Sequence, residues 1–344
     1  MRIADLSVPI TLPPMEAKLV DEVPRDAGWR FEPKWDGFRC LAFRAGHEVE
    51  LRSKAGKPLA RYFPDMVAAL QALPADRFVI DGELTIEVGG ELSFEALQQR
   101  LHPAASRVAK LAAEHPASFI LFDCLLGARG DSLVDAPFSR RRRELERLCE
   151  RFGDAPALRL SPGAEERETA CGWLATAGAA LDGVVAKRVD GPYVPGERAM
   201  LKVKRMRTAD CVVGGFRREQ GGRQVGSLLL GLYDHAGRLH HVGFTSTIVA
   251  VERPALTRRL EAAAGGEGFT GAAPGGPSRW STERSAEWTP LRHELVVEVR
   301  YDHVTGERFR HGTKLVRWRP DKDPRQCTMD QLTSEAAPRR LLQA

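Results

Sequence analysis

Lys34-Trp35-Asp36-Gly37-Phe38-Arg39 sets a primary amine two residues before a carboxylate, with an arginine close behind. Such an amine can bond to an electrophilic phosphorus once its lone pair is free. A lysine of pKa about 10.4 needs desolvation or nearby cations to free it. Alone, the segment reads as a hairpin turn with a solvated lysine, and K-x-D-G arises by chance in about one chain in ten of this length. Its company changes that weighting. Asp81-Gly82-Glu83-Leu84 presents carboxylates near a strand end, and Phe122-Asp123 ends an apolar strand with a ring able to stack on a base. Asp182-Gly183-Val184-Val185-Ala186-Lys187 supplies another acid, and Leu201-Lys202-Val203-Lys204 puts two ammoniums on one strand face. Arg319-Pro320-Asp321-Lys322 closes the series. Taken singly, Asp81 and Asp182 read as turn formers, Phe122 as core, and the lysines as a solvated face. The order of the set reverses these readings together.

In this order the segments resemble motifs I, III, IV, V and VI of the covalent nucleotidyltransferases, the superfamily of DNA ligases, RNA ligases and mRNA-capping enzymes. The resemblance spans about residues 30 to 322. Gly56-Lys57-Pro58-Leu59 through Tyr62-Phe63-Pro64 and the closing Arg317 to Lys322 look most like the bacterial ligase-C group. The resemblance implies that Lys34, with Asp36 in its motif, attacks the α-phosphate of ATP and carries AMP. It implies adenine contacts from Glu32 and Phe122, and nucleotide contacts from Arg39 and Glu83. Mg²⁺ or Mn²⁺ would be held by Glu83 and Asp182, and phosphates by Lys202 and Lys204. Arg319 and Lys322 would orient the departing pyrophosphate. Two positions depart from the family pattern: Asp182 stands where glutamate is usual, and Ser53-Lys54 stands where Ser-Arg is usual. Lys54 is assigned to the nucleotide site although it lacks the bidentate geometry of arginine.

These residues need strands to carry them. Trp29 to Lys34 and Phe38 to Arg44 read as strands of a hairpin about Asp36-Gly37. Tyr62 to Leu73 reads as an amphipathic helix, Arg77 to Glu87 as a strand, Phe119 to Leu126 as a buried strand, and Ser139 to Phe152 as a charged helix. Leu181 to Arg188 and Met200 to Arg205 complete the first half. Beyond Arg207, Cys211 to Arg217, Ser227 to Asp234, Leu239 to Thr245 and Leu295 to Tyr301 are short strands, and Val249 to Ala264 is a helix. Gly265 to Pro277 reads as a mobile loop. The expected fold class is α+β. A nucleotidyltransferase (adenylation) domain of antiparallel sheets and flanking helices, residues 1–206, precedes an OB-fold β-barrel domain, residues 207–344.

The chain of 344 residues is long enough for two cores, and its net charge of +5 suits a polyanionic partner without selecting one. Six scattered cysteines with no C-x-x-C pair argue against a structural zinc site or a disulfide framework. No apolar run is long enough to span a bilayer and no secretory signal is present, so a cytoplasmic location without membrane contact is expected. The resemblance implies a monomer, since a ligase of this form completes its site within one chain. Arg140 to Arg143 reads as a solvated helix start, with a DNA-facing patch as the alternative. The expected activity is ATP-dependent sealing of nicks in double-stranded DNA during repair, with repair polymerases or end-binding proteins as candidate partners. The alternatives are an RNA ligase or capping-type guanylyltransferase and, in another class, a non-catalytic OB-fold nucleic-acid-binding protein.

Overall fold

Near-continuous apolar runs build the strands that carry the first half of the chain. The computed structural model describes residues 1–176, 181–275 and 287–332, and contacts divide it into two units between Arg205 and Met206. The first unit contains β1 (Ala17–Leu19), β2 (Trp29–Trp35), β3 (Phe38–Ala45), β4 (Glu48–Ser53), β5 (Arg77–Val88), β6 (Ala117–Leu126), β7 (Leu158–Leu160), β8 (Leu181–Arg188) and β9 (Met200–Lys204). They form two sheets, ordered β4-β3-β5-β6-β7 and β1-β9-β8-β2. Pairing along those two orders is antiparallel except at the β1–β9 and β6–β7 edges. Helices α1 (Pro64–Ala72), α2 (Phe94–Arg100), α3 (Ala105–Glu114), α4 (Phe138–Phe152) and α5 (Arg167–Thr176) flank them.

The largest core of this unit lies between β5 and β6 and the helices, with Phe78, Ile80, Leu84, Phe119 and Leu121 fully buried. α4 joins it through Leu145, Leu148 and Phe152, whose spacing of three and four makes one helical stripe. Pro64 opens α1 at a position where its missing N–H costs nothing, and a 3₁₀ turn (Ala60–Tyr62) replaces the start expected at Tyr62.

Three Asp-Gly or Gly-bearing motif steps differ from their turn readings. β2 and β3 do not pair: β2 joins β8 in one sheet, and β3 joins β4 and β5 in the other. Asp36-Gly37 is therefore a corner between sheets, not a hairpin. A Cβ on Gly37 would lie 2.2 Å from the Leu84 carbonyl oxygen, so glycine is needed for close backbone approach. Asp81 and Asp182 likewise sit within strands. A Cβ on Gly82 would meet the Ile120 carbonyl at 2.6 Å, and one on Gly183 the Val203 carbonyl at 2.0 Å. β5 and β6 run to Val88 and Leu126, within a residue of the expected strand bounds at Glu87 and Leu126, so Asp81 and Asp123 lie inside the strands and not at their ends.

The second unit contains β10 (Arg207–Arg218), β11 (Val225–Tyr233), β12 (Leu239–Thr245), α6 (Arg253–Ala262), β13 (Val296–Tyr301) and β14 (Lys314–Trp318). The strand order is β12-β11-β10-β13-β14, all antiparallel. A parallel bridge between Thr245 and Thr313 joins the outer strands, where Thr245 Oγ1 donates to the Thr313 carbonyl at 2.9 Å. Five strands closed this way, with a helix between the third and fourth, are an OB-fold.

The segment from Gly265 is not a free loop. Phe269 is buried, its ring 5.3 Å from that of Trp288 and 5.2 Å from that of His241. Gly271 N–H donates to the Leu239 carbonyl at 2.9 Å. One aromatic among the glycines and prolines ties residues 265–275 to the barrel; residues 276 and 277 lie outside the described residues.

Candidate active site

A cavity of about 820 Å³ opens in the first unit, and Glu32, Lys34, Arg39, Glu83, Phe122 and Lys202 line it, with Lys54 also on its wall. Strand register explains much of the grouping. Gly183 pairs with Lys34 on one side and Lys204 on the other, so β2, β8 and β9 bring two amines to the neighbouring Asp182. Lys34 Nζ donates to Asp182 Oδ2, and Lys204 Nζ lies 3.9 Å from the same oxygen. Lys202 follows on the same face of β9. Burial lowers its pKa, and the charges of Lys34, Lys204 and Lys54 lower it further.

Glu83 faces this cationic group from β5. Burial pushes its carboxyl up to about 8; Lys34 and Arg39 pull the other way, while Asp36 and Asp81 add to the rise. Asp36 sits half-buried at the corner. Arg39 grips Asp81 with two bonds of 3.0 and 2.6 Å, and Tyr193 donates to the same carboxylate at 2.7 Å. Burial alone would lower the Arg39 pKa, but Asp81 outweighs it and raises it. The Arg39 guanidinium lies 5.2 Å from the centre of the Phe122 ring.

Lys54 reaches Glu16 at 3.0 Å, which holds the Glu16 carboxyl below its usual range. Glu32 is buried, and its carboxylate faces Lys187 at 2.8 Å and Arg142 at 3.4 Å. Arg319 and Lys322 belong to the second unit. There Arg319 makes paired bonds of 2.9 and 3.0 Å to Asp210, and Lys322 lies 3.7 Å from it.

In the Arg140 to Arg143 run, Arg140 and Arg143 are exposed, as the solvated reading expects, and the other two positions correct it. Arg141 and Arg142 are buried, not solvated and not facing DNA. Arg141 binds Asp123 with bonds of 2.8 and 3.2 Å, and Arg142 binds Glu32 and Glu146. Both project from the inner face of α4 with its apolar stripe, where carboxylates on β2 and β6 await them. Sequence reasoning assigned no role to Lys187, Asp81 as an ion-pair partner, or Tyr193. For Lys187 there was one available signal: a charged residue in step with Val185 on an otherwise apolar strand.

The sequence matches known protein families and relatives along most of its length. Residues 14–204 match the ATP dependent DNA ligase domain, and residues 221–322 match the ATP dependent DNA ligase C terminal region. The chain belongs to the ATP-dependent DNA ligases. The enzyme is 46% identical to DNA ligase C2 of Mycolicibacterium smegmatis over 96% of each chain. It is 44% identical to DNA ligase C of Mycobacterium tuberculosis, covering 95% of this chain and 96% of that one. A solved Lig E DNA ligase, 18% identical with a TM-score of 0.51, covers 88% of this ligase and 99% of its own chain and shares the fold. This ligase is thus an enzyme that uses ATP and acts on DNA. Among its described residues no helix is long and apolar enough to cross a membrane.

Proposed function

We propose that this ligase seals 3′-hydroxyl/5′-phosphate nicks in duplex DNA through a lysyl-adenylate at Lys34. The observation that carries the reading is the convergence of Lys34, Asp182, Lys202 and Lys204 across adjacent strands at the cavity that Glu32, Glu83 and Phe122 line. ATP is consumed and so is a substrate. Lys34 Nζ, having lost its proton, bonds to the α-phosphorus while the bond to the pyrophosphate oxygen breaks. The 5′-phosphate of the nick then displaces Lys34 and takes AMP; the 3′-hydroxyl displaces AMP and closes the backbone. Lys202 and Lys204 stabilise phosphate charge in a site partly shielded from water. Phe122 offers a face for the base and Glu32 an acceptor for its edge.

Among the described residues no group of three or more His, Cys, Asp or Glu forms a metal cage. Glu83 on the cavity wall, with Asp182 against the lining residue Lys34, nevertheless fits Mg²⁺ or Mn²⁺, because substrate phosphates normally complete the shell of such hard ions. Half-buried Glu83 on the cavity wall, its carboxyl raised to about 8, is a group that a cation would satisfy. Glu83 and Asp182 would hold the metal, which supplies Lewis-acid polarisation of the phosphates when bound. Asp182→Ala is expected to slow adenylation at limiting Mg²⁺ by about 10²-fold; wild-type rates there would reduce Asp182 to a structural strand residue.

The reading assigns Lys322 to ATP-dependent adenylation alone. Lys322→Ala should therefore impair labelling by ATP yet still close nicks supplied already adenylated. Equal loss in both assays would contradict that role. Expected DNA affinity falls roughly tenfold or more between about 50 and 200 mM salt, which a filter-binding titration checks; a flat affinity would argue against phosphate-dominated binding. We further read the enzyme as a cytoplasmic monomer in DNA repair, recruited by repair polymerases or end-binding proteins. Sedimentation at working concentration tests the first part.

A further inference from the structure

Lys187 lies on the cavity wall, although its ammonium is buried and points at protein groups. Its Nζ is 2.8 Å from Glu32 Oε2 and donates to the Phe122 carbonyl at 2.9 Å. The same atom stands 4.7 Å from the ring centres of both Phe122 and Phe138. One side chain thus touches both residues that offer the cavity an aromatic face and a carboxylate edge. Behind it, Asp123 lies 3.9 Å from Nζ and is itself held by Arg141 at 2.8 Å. Arg142 takes the other oxygen of Glu32 at 3.4 Å and is braced by Glu146 at 2.7 Å.

A buried carboxylate is costly unless a cation balances it. Facing the Lys187 ammonium and the Arg142 guanidinium, the Glu32 carboxylate has only acceptor atoms. It complements the exocyclic amine of adenine and repels the carbonyl oxygen that guanine presents on the same edge. We propose that Lys187 is a positioning residue for base selection, fixing Glu32 and Phe122 relative to each other so that adenylation by ATP is favoured over guanylylation by GTP. This deepens the functional reading above and rests on its assignment of the base to Glu32 and Phe122. Asp123, Arg141 and Arg142 form the frame that keeps Lys187 and Glu32 in register.

The test compares covalent labelling of the full chain by α-labelled ATP and GTP, as the ratio of their labelling efficiencies. Lys187→Met is expected to lower the ATP-over-GTP ratio about tenfold or more, and Lys187→Arg, which keeps the charge, to restore most of it. A thermal melt run alongside checks folding; if Lys187→Met does not fold, Lys187→Gln keeps a donor without the charge and is expected to show the same loss. Glu32→Gln is measured in parallel. A fall in both sets supports the proposal. A fall for Glu32→Gln with no change in the Lys187 variants would overturn it while leaving the base assignment intact. A fall only in the Lys187 variants would overturn positioning through Glu32, and no change in any variant would remove the base assignment itself.

Discussion

Lys34→Ala and Lys34→Arg are each expected to lower self-adenylation by on the order of 10⁴-fold or more, and nick sealing with ATP by as much. Alanine removes the nucleophile. Arginine keeps the charge and can still reach toward Asp182, but its guanidinium stays protonated and offers no free lone pair. The pair of variants therefore separates loss of a cation from loss of an amine. The contact of Lys34 with Asp182 positions the amine beside Lys204 and Lys202. Both variants should still seal DNA that arrives already adenylated, since that step does not pass through Lys34. Sealing of unmodified nicks with ATP by either variant would show that another residue carries AMP.

The second large effect is structural. Asp81 is fully buried and takes two bonds from Arg39 and one from Tyr193. Asp81→Ala strands a half-buried guanidinium and a buried hydroxyl, and breaking such a pair from one side costs about 3 kcal/mol, the low end for buried pairs because Arg39 reaches the cavity. The melting temperature should fall on the order of 10 °C, measured by calorimetry on the full chain. Arg39 also flanks Phe122 and Glu83, so adenylation should weaken in any Asp81→Ala protein that remains folded. A shift of only a degree or two would mean that water replaces the lost carboxylate, and that the Arg39–Asp81 pair does not organise the cavity wall.

The order of the chemistry-bearing segments was legible in the sequence, and strand periodicity alone puts Lys202 and Lys204 on one face, as the single residue between Glu32 and Lys34 does for that pair. Less legible was everything decided by long-range packing. Asp-Gly at 36–37 has the composition of a hairpin turn, yet Gly37 is there because the Leu84 carbonyl passes too close for a side chain. Local turn chemistry and close approach demand the same residue, and a sequence does not separate them. Four consecutive arginines at the start of α4 carry the signature of a solvated face. Whether two of them are buried depends on Asp123 and Glu32, which come from strands 18 and 110 residues away. The Gly265 segment shows the same limit: its composition is that of a loop, and Phe269 overrides it by finding the barrel core. The barrel itself was legible, because short apolar strands separated by glycine turns admit few other closed arrangements.

The most direct measurement incubates the unaltered chain with ATP and Mg²⁺, digests it and locates the nucleotide by mass spectrometry, before and after adding nicked duplex DNA. The account predicts a single AMP on the peptide containing Lys34, lost when DNA is added as the nick closes. AMP on another residue, or joined DNA with Lys34 never modified, would contradict it.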